Sequence, residues 1–229
     1  LSWKRHWRPD PVGERLLILP AWLEVPPAYA QRLVIRMDPG SAFGTGGHPT
    51  TRLCLEALER LAAEGEGRGD PALGLGGLRV ADLGCGSGIL GIAALLLGAA
   101  SVAAVDTDPL AVRATADNAA ACGVQERLRV RRGSVEALAE VLEGRPADLL
   151  LCNILAPVIE ALCPAFHTVL TPGGVGLLSG VLVGQEPRLR RALAAQGWTA
   201  EPTARQSDWG LITIRRSGTD GQAEFADVA

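Results

Sequence analysis

The chain of 229 residues has no C-x-x-C pair, and its three histidines, His6, His48 and His167, stand far apart. The clustered nitrogen and sulfur donors of a zinc site are therefore missing, and no metal is expected. The five cysteines, Cys54, Cys85, Cys122, Cys152 and Cys163, mostly sit inside apolar segments. They read as buried free thiols of a reducing compartment, not as disulfides. Excess positive charge is also lacking. A formal net charge of -3 leaves no electrostatic footprint for nucleic acid, so direct nucleic-acid readout is not expected. The run Arg127, Arg129, Arg131 and Arg132 reads as the solvated face of a strand. Long hydrophobic runs are absent as well: "ILGIAALLLGAA" is too short for a bilayer and is broken by glycine. No secretory signal is expected. A cytoplasmic, soluble monomer without membrane association is the expectation.

The stretch "SAFGTGGHPTT", residues 41–51, is rich in glycine, which allows close backbone approach to a ligand. It lacks the Lys-Ser/Thr end of a Walker phosphate loop, so a triphosphate is not its implied guest.

Hydrophobic residues at 48% suffice for a sizeable core. Segments 14–22 and 31–37 are short apolar runs bounded by Pro and Gly and read as strands. After the glycine loop, "TTRLCLEALERLA" has Leu53, Ala57, Leu58 and Leu61 at helical spacing, with Pro49 suited to a helix start. Residues 63–77 read as a surface loop. From residue 78, strands alternate with helices: "LRVADLG", "SVAAVDTD", "LRVRRGS", "ADLLLCNI" and, after a "TPGG" turn, "VGLLSGVL". The helices between them are "GILGIAALLLG", "PLAVRATADNAAACG", "APVIEALCPAFHTVL" (interrupted by Pro164) and "EPRLRRALAAQG". "WTAEPTARQSDWGLITIRR" gives two extended runs without a helix between them, which must pair antiparallel. The expected fold class is α/β: a doubly wound, mostly parallel seven-stranded Rossmann-like sheet ending in an antiparallel hairpin. Residues 1–40 are expected to be a linker and N-terminal extension, 41–216 the functional domain, and 217–229 a disordered tail.

"VADLGCGSGIL" sets Asp82, Gly84, Gly86 and Gly88 at a strand-to-helix turn. In an open α/β sheet such a turn faces the ligand crevice, and its glycines let N–H groups approach the ligand. Glycine-rich turns also serve plain helix–strand packing. The next strand ends at Asp106, roughly 20 residues on, where a carboxylate can accept both ribose hydroxyls. Together the two features point to a nucleoside. Asp108 could also meet the ribose, but an acid ahead of Pro109 better suits the helix N-terminus. Asn153 ends the fourth strand at the crevice. Its amide can orient a nitrogen nucleophile or a cofactor, or can cap the following turn. It is followed by Ile154 and Leu155, not by the aromatic platform that would stack a flipped base.

The run G-C-G-S-G behind Asp82 resembles motif I of the class I S-adenosylmethionine-dependent methyltransferases, not the NAD fingerprint. "FGTGGHPTT", "DLGCGSGILGIAA", "VDTDP" and "CNILAP", in that order, resemble the PrmA family over nearly the whole chain, from "WKRHW" to "DWGLITIRR". The resemblance implies methylation of lysine side chains and the N-terminal amine of large-subunit ribosomal protein eleven, with S-adenosyl-L-methionine as cofactor. It implies cofactor contacts at Thr51, Gly84, Asp106 and Asn153, with Asp82 and Gly86 in the same turn. It makes Phe43 the apolar part of a lid over the cofactor and Gly44 and Gly46 its joints. His48 would face the transfer site or stabilise its own loop by a hydrogen bond. Asn153 is the candidate catalytic residue, orienting the amine while water removes its proton.

The family also carries an N-terminal domain that captures the ribosomal protein. The chain opens at Leu1 in what resembles the linker, marked by Trp3 and Trp7, so that domain is expected to be missing from these residues, either by truncation or because the catalytic domain stands alone. Two alternatives stay open: a methyltransferase of another protein or small molecule, and a cofactor-binding module without activity.

Overall fold

The computed structural model describes residues 7–38, 47–67 and 75–217. Phe43, Gly44, Gly46 and the expected tail from 218 onward lie outside them.

The first strands form a small sheet: β1 (Asp10–Val12), β2 (Leu16–Pro20) and β3 (Leu33–Met37). β1 pairs antiparallel with β2 through a tight turn, whereas β2 and β3 run parallel. The parallel pair needs a long crossover, and residues 21–32 supply it with one short 3₁₀ turn instead of a helix. Val12, Leu16, Ile18, Ile35 and Met37 share one buried cluster with Leu53, Leu58, Ile92 and Leu95. Residues 10–37 are thus packed into the core of the larger unit. The free edge of β3 is capped by side chains. The Arg36 N–H donates to Cys122 Sγ at 3.2 Å, and that thiol donates to Arg36 O at 3.4 Å.

The larger sheet has seven strands: β4 (Arg79–Leu83), β5 (Ser101–Asp106), β6 (Leu128–Arg132), β7 (Ala147–Asn153), β8 (Leu170–Leu182), β9 (Trp198–Gln206) and β10 (Trp209–Arg216). Their order is β6-β5-β4-β7-β8-β10-β9. β4 to β8 are parallel, and β10 lies antiparallel to both β8 and β9. The expected fold class is the one observed, including the closing hairpin.

Helix α1 (Pro49–Gly67), α2 (Ile89–Leu96) and α3 (Pro109–Ala121) cover one face of this sheet. Helix α4 (Val135–Val141), α5 (Ala156–Leu162) and α6 (Glu186–Ala195) cover the other. The strands obey the alternation this demands: Val80, Val102, Ala104, Leu149 and Leu151 face the first layer, and Ala81, Ala103, Val105, Leu150 and Cys152 the second.

Four expectations are corrected. The loop expected over 63–77 begins later, because α1 runs on to Gly67. The sequence reading had no helix between the third and fourth strands, yet α4 fills that place; its seven residues are too few for a clear helical period. "TPGG" is not a turn ahead of a strand. It lies within β8, where the register jumps between Ala147↔Leu170 and Leu149↔Val175. The bulged residues pack closely, since a Cβ on Gly174 would lie 2.8 Å from Asp148 O. Finally, the helix expected through 156–170 ends at Leu162, and Pro164 opens a 3₁₀ segment over Cys163–Thr168.

The arginine run is solvated as expected: Arg129 pairs with Glu143 at 2.7 Å and Arg131 with Glu140 at 2.6 Å, all exposed. All five cysteines are free thiols. Burial pushes the Cys54 thiol up to about 12 and holds Cys85 and Cys152 well above the usual thiol range. Among the described residues no group of His, Cys, Asp or Glu could hold a metal, and no helix is long and apolar enough to cross a membrane.

The hairpin is anchored by one buried acid. Glu186, at the start of α6, is 3% exposed and pairs with Arg205 of β9 at 2.6 Å. A Cβ on Gly210 of β10 would meet Glu186 Oε1, so the carboxylate would have to shift. Arg205→Ala would leave this carboxylate buried without its cation. A loss of stability is expected, read as a fall in the urea midpoint.

Candidate functional site

In an open parallel sheet the ligand crevice lies where strand order reverses, beyond the carboxyl ends of the strands. Here that point lies between β4 and β7, since the chain runs outward from β4 to β6 and then returns beside β4 as β7. A cavity of about 420 Å³ opens there. Gly84, Gly86, Asp106 and Asn153 all line it, although 69 residues of chain separate Gly84 from Asn153.

The glycine turn forms because Gly84, Gly86 and Gly88 adopt φ of 75°, 55° and 81°, a region closed to most side chains. The Gly84 and Cys85 N–H groups both donate to Val105 O, at 2.9 and 3.0 Å, which ties the turn to β5. A Cβ on Gly84 would lie 2.5 Å from Ile154 Cγ2, so bare backbone is required between β4 and the end of β7. Asp106 closes the other side. Its Oδ2 accepts from the Gly86 N–H at 2.9 Å and its Oδ1 from the Asp108 N–H at 3.0 Å. Each oxygen keeps a further lone pair for a ligand hydroxyl. Asp108 lines the cavity too, but its Oδ1 accepts from the Leu110 N–H at 2.9 Å, the N-cap role its place before Pro109 implied.

Asp82 lies beneath the turn and not in the cavity wall. It is 1% exposed, and its carboxylate accepts from the Gly91 N–H at 3.2 Å. Burial drives its pKa up to about 7; the Gly91 hydrogen bond opposes the shift, and the Asp106 charge adds to it.

The start of α1 forms the opposite wall. His48 acts as the helix cap: its Nδ1 accepts from the Thr50 N–H at 3.3 Å and meets Thr50 Oγ1 at 2.8 Å. This is the loop-stabilising role weighed for it, although the ring also lines the cavity. Thr51 is fully buried, and its Oγ1 accepts from Asn153 Nδ2 at 3.3 Å. Thr51 therefore stands behind Asn153 and ties its amide to α1. Ser179 Oγ adds a second tie from β8 to Thr50 O at 3.0 Å.

Several site residues escaped the sequence reading. Trp209 lines the cavity with its ring edge-on to His48, 5.1 Å between centroids. It arrives from β10, more than 150 residues downstream of His48, and no local pattern marks it. Ile154, Leu155 and Val158 supply apolar surface. Gly180 was foreshadowed by a lone glycine inside a strand pattern, a usual sign of a bulge or close approach. Its φ is 83°, and a Cβ there would collide with Ile154 O. Gly180→Ala is expected to cost about 2–4 kcal/mol, because the left-handed backbone and the carbonyl overlap act together. Thermal unfolding checks this, and the displaced Ile154 backbone should weaken ligand binding in parallel.

Sheet order, glycine turn, acid-ended second strand and terminal hairpin define a Rossmann-like class I methyltransferase fold. The model of the ribosomal protein L11 methyltransferase (PrmA) family matches residues 1–217, and the chain belongs to that family. It is 63% identical over 217 residues to the ribosomal protein L11 methyltransferase of Parasynechococcus marenigrum, covering 94% of this chain and 71% of the relative. Identity to the Synechococcus sp. (strain RCC307) protein of the same name is 60% over 217 residues, covering 95% and 68%. The crystal structure of ribosomal protein L11 methylase from Lactobacillus delbrueckii subsp. bulgaricus matches with TM-score 0.77 and 31% identity, over 92% of this chain and all of that one.

Proposed function

We propose that this chain transfers methyl groups from S-adenosylmethionine to lysine side-chain and N-terminal amines of ribosomal protein L11. The observation that carries the reading is the meeting of glycine turn, Asp106 and Asn153 in one cavity at the switch point, in a chain of this family. The residues fit the cofactor. The turn exposes backbone where a Cβ would clash, a carboxylate stands where ribose hydroxyls need an acceptor, and Ala111, Leu155 and Val158 offer apolar surface to a base. The volume falls within the ordinary range of small-molecule sites.

Asp106 and the Gly84–Gly88 turn hold the nucleoside and methionine parts. S-adenosylmethionine supplies a methyl group on a sulfonium, already an activated leaving group, so the protein's work is alignment. A lysine amine has a reference pKa of about 10.4 and must lose a proton before it can attack. An apolar, cation-bearing site favours the neutral amine. With Nδ2 toward Thr51 Oγ1, Asn153 presents Oδ1 to an N–H of the amine and so points the amine's lone pair inward. Water takes the proton.

Calorimetric titration with S-adenosylmethionine and, separately, NAD tests the cofactor. Transfer of labelled methyl to purified L11 tests the substrate. Binding of the first ligand alone, with label appearing in L11, is the expected result. Binding of NAD alone would overturn the reading. Labelling of a small amine but never of L11 would favour a different substrate.

A further inference from the structure

Three glycines of the cofactor turn carry no side chain, so the turn cannot lock itself by packing. Part of what holds it comes from α3. Thr115 and Asn118 lie three residues apart on one face of that helix, 0% and 2% exposed. Thr115 Oγ1 reaches Gly86 O at 3.1 Å and Cys85 Sγ at 3.3 Å, both in the turn, and Asn118 Nδ2 donates to Ser87 O at 2.9 Å. Two successive carbonyls of the turn are thus drawn toward the same helix. A trans peptide places C=O and N–H on opposite sides, so drawing Gly86 O toward α3 aims the Ser87 N–H away from it. The helix approaches closely enough that a Cβ on Gly88 would lie 3.1 Å from Thr115 Cα.

Asn118 does more. Its Oδ1 accepts from the Asp38 N–H at 3.2 Å, just beyond the end of β3. One buried amide therefore bridges the three-stranded sheet and the glycine turn, and having a partner at each end fixes its orientation.

We propose that Thr115 and Asn118 are positioning residues for the cofactor. They set the peptide planes of the Gly84–Gly88 turn, and Asn118 makes the end of β3 part of that support. The inference rests on the cofactor reading above. Its test therefore has one readout with S-adenosylmethionine and one without it.

The variants are Thr115→Val, which removes the donor at nearly constant shape, Thr115→Ser, which restores it, and Asn118→Ala. Calorimetry well below the melting temperature should show S-adenosylmethionine bound roughly tenfold more weakly by Thr115→Val and Asn118→Ala, the size expected for one lost buried hydrogen bond. Thr115→Ser should bind within about twofold of the parent. A merely structural role would lower the melting temperature and leave this affinity unchanged. Without ligand, hydrogen exchange at the Gly86 and Gly88 amides, both hydrogen-bonded in the turn, should quicken in Thr115→Val and Asn118→Ala and not in Thr115→Ser. Unchanged affinity and exchange in Thr115→Val, or a serine variant as weak as the valine one, would overturn the proposal. If Asn118→Ala does not fold, the Thr115 pair decides alone. If the parent chain binds no S-adenosylmethionine, the cofactor reading fails, and the exchange comparison still decides whether α3 holds the turn.

Discussion

Replacing Asn153 with alanine should lower kcat for amine methylation roughly a hundredfold, the scale set by losing alignment of a reacting group. The amide stands at the end of β7, lines the cavity, and is held by the buried Thr51 hydroxyl. Alanine removes the acceptor for the amine and strands Thr51 Oγ1 without the Asn153 donor. A second substitution separates orientation from bulk. Asn153→Asp keeps an oxygen at the same place but makes it anionic, which favours the ammonium over the amine. Its rate should therefore recover only at higher pH, with the pH–rate profile displaced upward from the parent's. Single-turnover methylation of L11 across a pH series checks both. Full activity in Asn153→Ala would remove this residue from the mechanism.

The second large effect concerns stability. Asp82 is raised from 3.8 to about 7, first because it is buried. Between those two values the folded chain holds a proton that the unfolded chain has released. Stability contributed by neutral Asp82 is therefore fully present below about pH 4 and is lost as pH rises through 7. The whole swing is on the order of 4 kcal/mol, from the worth of a pKa unit. Asp82→Asn carries no such proton. The stability of the parent minus that of the variant, from urea unfolding, should fall steadily from pH 4 to pH 7 and then level off. A difference that stays flat would mean that Asp82 is ionised throughout.

Much of this was legible because local rules and tertiary needs agreed. Strand–helix alternation from residue 78 onward announces a parallel sheet, and two strands without a helix between them announce the hairpin. Glycines at 84, 86 and 88 and an acid at 106 carry their meaning in short-range geometry, so a linear reading finds them. Asp108 before Pro109 is likewise a helix cap that spacing alone reveals. Failures came where local signals are weak or contrary. Seven residues cannot display the period of α4, and "TPGG", normally a turn, is forced into β8 by its neighbours.

By itself, then, the chain's order of residues determined the fold class, the glycine turn and the acid that faces it, because those rest on backbone conformation and periodicity. Only the tertiary structure decided that Asp82 lies under the site, that Thr51 serves Asn153 from behind, and that Trp209 and His48 share a wall. It alone decided that α3 grips the turn through Thr115 and Asn118. These depend on which elements touch across long stretches of chain. Contacts of that kind are selected by burial and by the need of every buried donor and acceptor for a partner, conditions met in space and not along the sequence.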